Sequence, residues 1–413
     1  MEIKAMEEKM MPLEGVKVVE MATVVAAPTT ARMLCAYGAE VIKVEALGGD
    51  VMRLAGTHEF TPYEDDLNPL FTIHNSNKKF VSLNIKTEAG RKVLVDLIND
   101  ADVFITNVRE KSLVKNGLDY ETLKEENPGL IYAHFSGYGY AGPAANDPGF
   151  DISAFWLRSG PLADWQTEGS FPFLPTYAFG DMVTSNSFLA GIVMALYAKA
   201  KTGKGTKIVT SLFANGIWCN AIGVVQTQFE RKHLNPVPLR PTDPFNQTYL
   251  CKDGRWIGVY CNEYEADKEK FARLYGIEEI IDDPRFDSID VMQQTGSIEE
   301  IIAKCNEIFL TKTSEEWRKF FSDNSVACEI LKESNEVSRD PQAIENGYMV
   351  PVEYPDENHT TVMMPSPPIS YSEYSRREYE PTGTIGEDTD EVLKSLGYTE
   401  EQIKALKEEG AIR

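Results

Sequence analysis

The chain has 413 residues and a formal net charge of −23, a length that fits two domains at roughly 100–200 residues each. Its 42% hydrophobic content supports a buried core, and its acidic balance excludes binding to nucleic acid or anionic membrane by general attraction. Six scattered cysteines without a C-x-x-C pair and five isolated histidines predict reduced thiols, no disulfide framework and no metal site.

The opening "MEIKAMEEKMMP" mixes acids and lysines around no apolar core, so no signal peptide is expected. No run of about eighteen apolar residues announces a membrane span, and a cytoplasmic protein is expected. "GVKVVEMATVVAAPTTARMLCAYGAEVIKVEAL" reads as a βαβ unit: a strand over Val16 to Met21, a helix over Thr29 to Tyr37 with Pro28 in its first turn, and a strand over Glu40 to Glu45. Its first turn, "ATVVAAPT", lacks the G-x-G-x-x-G loop that lets a pyrophosphate approach, so the nicotinamide reading fails. Strands over Phe80 to Asn84, Val103 to Thr106 and Leu130 to Phe135 alternate with helices over Glu88 to Asn99 and Tyr120 to Glu126, which predicts a parallel sheet covered on both faces. Residues 138–180 are rich in Gly, Pro and Asn and read as loop. The sheet resumes at Lys207 to Leu212, and a helix follows near Ile217 to Gln228.

Composition shifts near residue 230, where "RKHLNPVPLRPTDPFN" reads as a linker. A β-hairpin turns at Asp253-Gly254, and helices over Ala266 to Tyr275, Ile298 to Phe309 and Ser314 to Asp323 complete a smaller α+β domain. "VEYPDENHTTVMMPSPP" reads as extended, and two helices (Asp388 to Leu396; Glu400 to Glu409, capped by Thr399) end the chain. The expected architecture is α/β: a Rossmann-like parallel sheet over 1–230, a small α+β domain over 231–335, and a segment over 336–413 that returns to the large domain.

One acid stands apart. Asp181 precedes a long apolar helix over Val183 to Lys201, and no other acid occurs before Phe229. Taken alone it reads as a helix cap, since Asp side chains accept hydrogen bonds from unpaired N–H groups there. The same place suits a nucleophile, because a helix start stabilises negative charge.

Several segments together decide between these readings: "LEGVKVVEMA", "YGAEVIKVEALGGDVMR", "NKKFVSLNIKTEAGRKVL", "ADVFITNVREKSLVKNGLDYETL", "PGFD", "GDM", "KTGKGTKIVTSLF" and "GEDTDEVLKSLGY". Their order and spacing across the whole chain resemble the class III CoA-transferases, and most of all the branch from amino-acid-fermenting anaerobes that acts on (R)-2-hydroxy acids such as phenyllactate and 2-hydroxyisocaproate. The resemblance implies an interlaced homodimer, with acyl-CoA and small carboxylic acids as substrates and no tightly bound cofactor. It makes Asp181 the catalytic aspartate and puts Val24, Val25, Ala26, Leu83, Lys86, Asn107, Val108 and Lys115 against CoA. There are departures: Val25 replaces a glutamine of some members, Ala46 an arginine, and Met182 the histidine that usually follows the aspartate in the 2-hydroxy-acid branch. The glycine-rich loop of formyl-CoA transferase has no counterpart in "NPVPLRPTDPFNQ".

The implied chemistry is nucleophilic. Asp181 attacks a donor thioester, backbone N–H groups at the helix start stabilise the oxyanions, and loops such as Gly137 to Gly142 exclude water. The acceptor pocket is expected among Tyr138, Gly139, Phe150, Phe155, Trp156 and Met182, with Arg158 its nearest fixed charge. Two rivals share this architecture. α-Methylacyl-CoA racemase resembles the same family but uses a histidine where "PGFDISAF" has Phe150, which cannot carry a proton. A catalytically silent acyl-CoA-binding protein would not retain Asp181 for chemistry.

Overall fold

The computed structural model describes residues 9–166, 169–175, 178–229 and 243–413. Most of the expected linker, 231–246, and the first eight residues lie outside them. By internal contacts the chain divides into two units, the first formed by the described parts of Met1–Asp164, Pro172–Leu234 and Pro341–Arg413, the second by those of Trp165–Phe171 and Asn235–Asp340.

In the first unit, six apolar segments form strands β1 (Lys17–Met21), β2 (Glu40–Glu45), β3 (Lys79–Ser82), β4 (Val103–Thr106), β5 (Ile131–Ser136) and β6 (Thr206–Ser211). All pair in parallel, in the order β3-β2-β1-β4-β5-β6. The inner strands are buried on both faces and need no polar alternation, which is why β4 reads as four apolar or hydroxyl residues in a row. One face carries helix α1 (Ala26–Ala36) and the long helix α2 (Phe179–Thr202), around a core that includes Leu34, Val103, Ile131, Phe188 and Ile192. The other carries the helices Glu88–Asn99, Tyr120–Glu126, Thr389–Ser395 and Glu400–Glu408 through Leu94, Leu97, Leu123, Leu393 and Ile403. The carboxyl-terminal segment is stitched to β3, with Phe80 N–H donating to Asp388 at 2.7 Å and Asn84 N–H to the Ala411 carbonyl at 2.8 Å.

One expectation is corrected in its bounds and one is sharpened. Helix α1 begins at Ala26, three residues before the expected Thr29, so the segment after β1 turns directly into a helix. The extended stretch near 350–365 forms an antiparallel pair, Met349–Glu353 with Thr361–Pro365. By length and composition α2 is the one described helix apolar enough to cross a membrane; its packing against α1, where Thr30 Oγ1 donates to the Ser185 carbonyl at 3.1 Å, makes it a core helix of this unit.

The second unit has a three-stranded antiparallel sheet, β7 (Gln247–Leu250), β8 (Trp256–Tyr260) and β9 (Ala327–Ile330), in the order β7-β8-β9. Gly254, with φ +78, makes the hairpin turn. Its core is aromatic: Tyr249 stacks on Phe309 at 4.3 Å between centroids, and Trp317 on Phe321 at 5.4 Å.

Candidate active site

A cavity of about 360 Å³ opens at the carboxyl ends of β1, β4, β5 and β6. The strand order reverses between β1 and β4, and crevices at such switch points are where open α/β sheets bind ligands. The segments that follow those four strands line it, together with Asp181.

Asp181 is the third residue of α2, which the chain enters through Ala178 in the left-handed region at φ 51. It is not the cap. The carboxylate over this helix start belongs to Asp151, whose Oδ1 accepts from the Asp181 N–H at 2.9 Å, and the nearby Gly180 N–H also favours its charged form. Met182 N–H donates to the Ala178 carbonyl at 3.0 Å. Of the N–H groups in this first turn, the one on Asp181 itself is therefore already engaged.

Asp151 reaches them from the first residue of a π-helical turn, Asp151–Leu157, a local widening often found at functional sites. Gly180 makes the approach possible, since a Cβ there would stand 2.4 Å from Phe155 Cγ and 2.6 Å from Asp151 Oδ1. The Asp181 side chain accepts no hydrogen bond among the described residues, and the residue is only 8% exposed. Burial first, then the charge of Asp151, push its carboxyl up to about 7. Burial also raises Asp151, held back by the Asp181 and Gly180 N–H groups and the Trp156 side chain. A buried carboxylate without hydrogen-bond donors is more basic, and a better nucleophile, than a solvated one.

The start of α1 lines the same cavity as Asp181. Its cap position, Val25, offers no side-chain hydrogen bond, and the N–H groups of Val25, Ala26 and Ala27 donate to nothing among the described residues. The turn leading into it is held in a strained form. Val24 sits at φ 71, unusual for a β-branched residue, while Asn107 clamps Thr23 from both sides, accepting from its N–H at 3.2 Å and donating to its carbonyl at 2.8 Å. Beneath the turn lies a buried set of charges. Lys43 Nζ meets Glu20 at 3.0 Å, Asp50 at 2.9 Å and the Ala22 carbonyl at 2.9 Å. Lys78 Nζ meets Glu20 at 2.6 Å and the Pro28 carbonyl at 2.9 Å, and Arg53 grips Glu45 at 2.8 Å.

At the outer end of the cavity stand Arg109 and Lys111, neither ion-paired among the described residues. Between them Glu110 is held by Lys207 at 3.0 Å and faces His134 Nδ1 at 3.2 Å; burial pushes His134 down to about 4, so it is neutral at pH 7. The loop after β5 is closed by two glycines set back to back: a Cβ on Gly137 would meet Gly149 Cα at 2.6 Å.

Of the residues singled out from the sequence, Val24, Val25, Ala26, Asn107, Val108, Gly139, Phe150 and Asp181 line this one cavity. Leu83 is buried in the core and pairs with Ile412, Lys86 and Lys115 are exposed outside the cavity, Phe155 and Trp156 belong to the core beneath it, and Met182 packs against Thr29. Tyr138 stacks under Arg158 at 4.9 Å, which is a cation–π partner there. Sequence reasoning passed over Asp151, Arg109, Lys111 and His134. Only Asp151 had a signal, as the acid of the quoted "PGFD", whose phenylalanine drew the attention.

The chain is similar along its whole length to proteins of known activity. The chain is 37% identical over 406 residues to the (R)-2-hydroxy-4-methylpentanoate CoA-transferase of Clostridioides difficile, covering 98% of this chain and all of that one. It is 34% identical to the cinnamoyl-CoA:phenyllactate CoA-transferase of Clostridium sporogenes, covering 98% of each. A crystal structure of a CAIB/BAIF family protein from Brucella suis superposes with a TM-score of 0.78 at 26% identity, over 94% of this chain and 100% of that one. With the family model for CoA-transferase family III matching residues 13–389, the chain belongs to that family and is an enzyme of the CoA-transferase type.

Proposed function

We propose that the enzyme moves CoA from an acyl-CoA to a free 2-hydroxy acid or its enoate through a thioester on Asp181. The observation that carries this reading is the Asp181 carboxylate itself, buried, without a hydrogen bond among the described residues, and lining the cavity at the switch point. An Asp181 oxygen attacks the donor thioester carbon, the C–S bond breaks, and CoA leaves as thiolate from a mixed anhydride. The thiolate then attacks Cγ of Asp181, expelling the donor carboxylate and leaving an aspartyl-CoA thioester. The acceptor carboxylate repeats the two steps in reverse, so protons balance without a net transfer. One thioester replaces another of similar energy, and no external energy source is called for.

The free N–H groups at the start of α1 serve as the oxyanion donors in this reading, taking the place of the engaged one at the start of α2. Val24 to Ala26, Asn107 and Val108 line the path of CoA, and Arg109 and Lys111 face its phosphates. Lys115, four residues beyond Lys111 and on the same side of their helix, extends this charge outward. Phe150 at the mouth carries no proton, which speaks against racemisation. The exposed apolar side of the first unit, with Met194, Tyr197, Trp218 and Ile222, suits a second copy of the chain rather than solvent, in keeping with an interlaced homodimer in the cytoplasm.

Mass spectrometry of CoA exchange from one acyl-CoA into a panel of acids tests the activity. With Val24, Val25, Phe135, Tyr140, Phe150 and Leu212 as apolar lining, branched or aryl monocarboxylates of four or more carbons gain roughly 25 cal/mol per Å² buried and outcompete oxalate, formate and malate. Preference for small dicarboxylates overturns the substrate reading. Hydroxylamine added with acyl-CoA modifies Asp181, and peptide mapping that puts the modification elsewhere overturns the covalent one.

A further inference from the structure

We propose that Asp151 is a positioning residue for the nucleophile: clamped across the Gly180 and Asp181 N–H groups, its carboxylate takes up the donors nearest Asp181 and keeps the Asp181 carboxylate bare toward the cavity. This rests on the reading of Asp181 as nucleophile. Asp151 is itself 6% exposed, so it is a built part of the site, and its reach spans 30 residues of sequence to a 2.9 Å contact. The missing side chain at Gly180 lets both the Phe155 ring and the Asp151 carboxylate approach the helix start, where a Cβ would stand 2.4 Å from Phe155 Cγ and 2.6 Å from Asp151 Oδ1.

A helix start with free N–H groups lowers the basicity of an acid in its first turn, because it stabilises the ionised form. Asp151 cancels that effect twice, by occupying the donors and by adding a second negative charge. Among the described residues Asp151 is the charged group that acts on Asp181. Arg109, Glu110, Lys111, His134 and Asp147 line the same cavity. The device gives a nucleophile that is ionised late on rising pH but reacts strongly once ionised.

The test compares wild type, Asp151→Asn, Asp151→Ala and Asp181→Asn by kcat/KM for acyl exchange across pH 5 to 9, with thermal melts of each. Asparagine keeps an oxygen for the two N–H groups and loses the charge. Asp151→Asn is expected to melt with wild type, to move the acid limb down by about one pH unit, and to lose roughly tenfold in kcat at pH 8. Asp151→Ala frees the donors as well, and is expected to move the limb further and to lose about a hundredfold. An Asp151→Asn enzyme with the acid limb and kcat of wild type overturns the proposal. Carboxyl-carbon NMR of the intact wild-type protein needs no variant: Asp151 and Asp181 titrating independently in the ordinary carboxylate range also overturn it. If Asp181→Asn retains transfer, the nucleophile reading itself fails, whatever the Asp151 variants do.

Discussion

Two helices begin in the wall of one cavity, and they begin in opposite states. The start of α2 is covered by an acid, with Asp151 accepting from the Asp181 N–H and its charge favoured by the Gly180 N–H. The start of α1 is open, with no cap on Val25 and three N–H groups unclaimed among the described residues. A buried helix end without partners is costly unless something else supplies them. The pair teaches that a reactive carboxylate and its oxyanion donors need not share a helix. Here one helix gives up its donors to keep the nucleophile basic, and its neighbour keeps donors free for the charge that the nucleophile creates.

The largest way to break this comparison is to remove the nucleophile. Asp181→Ala is expected to lower transfer by at least about 10⁴-fold in a protein that still folds, measured as exchange in a clean preparation. Next comes Gly180→Ala. Its Cβ pushes on both Phe155 and Asp151, so about 1–3 kcal/mol of stability and roughly a hundredfold in kcat should be lost, read by denaturant melts and by exchange.

Asp181→Asn sharpens the comparison through stability. Because folding raises the Asp181 carboxyl to about 7, the native state binds the proton more tightly than the unfolded chain does. The wild type therefore loses stability as pH rises from the ordinary carboxylate range to about 7, and stays lower above it. The asparagine variant escapes this loss and should be more stable by about 2 kcal/mol at pH 8, with no advantage at pH 4. A smaller effect tests the open helix. In Val25→Ser a hydroxyl at the start of α1 competes for its donors, so kcat should fall about tenfold, while loss of the buried valine should lower stability by about 1–2 kcal/mol. Smallest of all, Lys111→Ala should raise KM for acyl-CoA about threefold, an effect that fades in high salt, with kcat unchanged.

Much of the fold was legible because apolar runs and turn residues lie next to each other in sequence. The strand Glu40–Glu45 and the helices Glu88–Asn99, Tyr120–Glu126 and Ser314–Asp323 have the expected bounds. Thr399 caps the last helix as expected. The state of Asp181 was not legible. An acid ahead of a helix looks like its cap, and only the fold brings a second acid across 30 residues to do that work instead. The free donors of α1 were hidden for a related reason: an uncapped helix start is defined by what its neighbours fail to offer, and no local pattern records that. Arg109 and Lys111 were equally silent, since charge alone does not tell a cavity rim from a solvated surface.

The charges beneath the first turn carry a consequence for how this enzyme can change. Lys43, Lys78, Glu20 and Asp50 are buried together and hold the Ala22 and Pro28 carbonyls on either side of that turn. Neutralising any one of them strands its partner, at about 3–5 kcal/mol, so no path of single substitutions crosses that floor without passing through a damaged protein. Residues 138–148 of the loop after β5 include no buried charge. New acceptors are accordingly to be reached by varying the roof of the cavity, residues 138–150, while its floor is inherited whole.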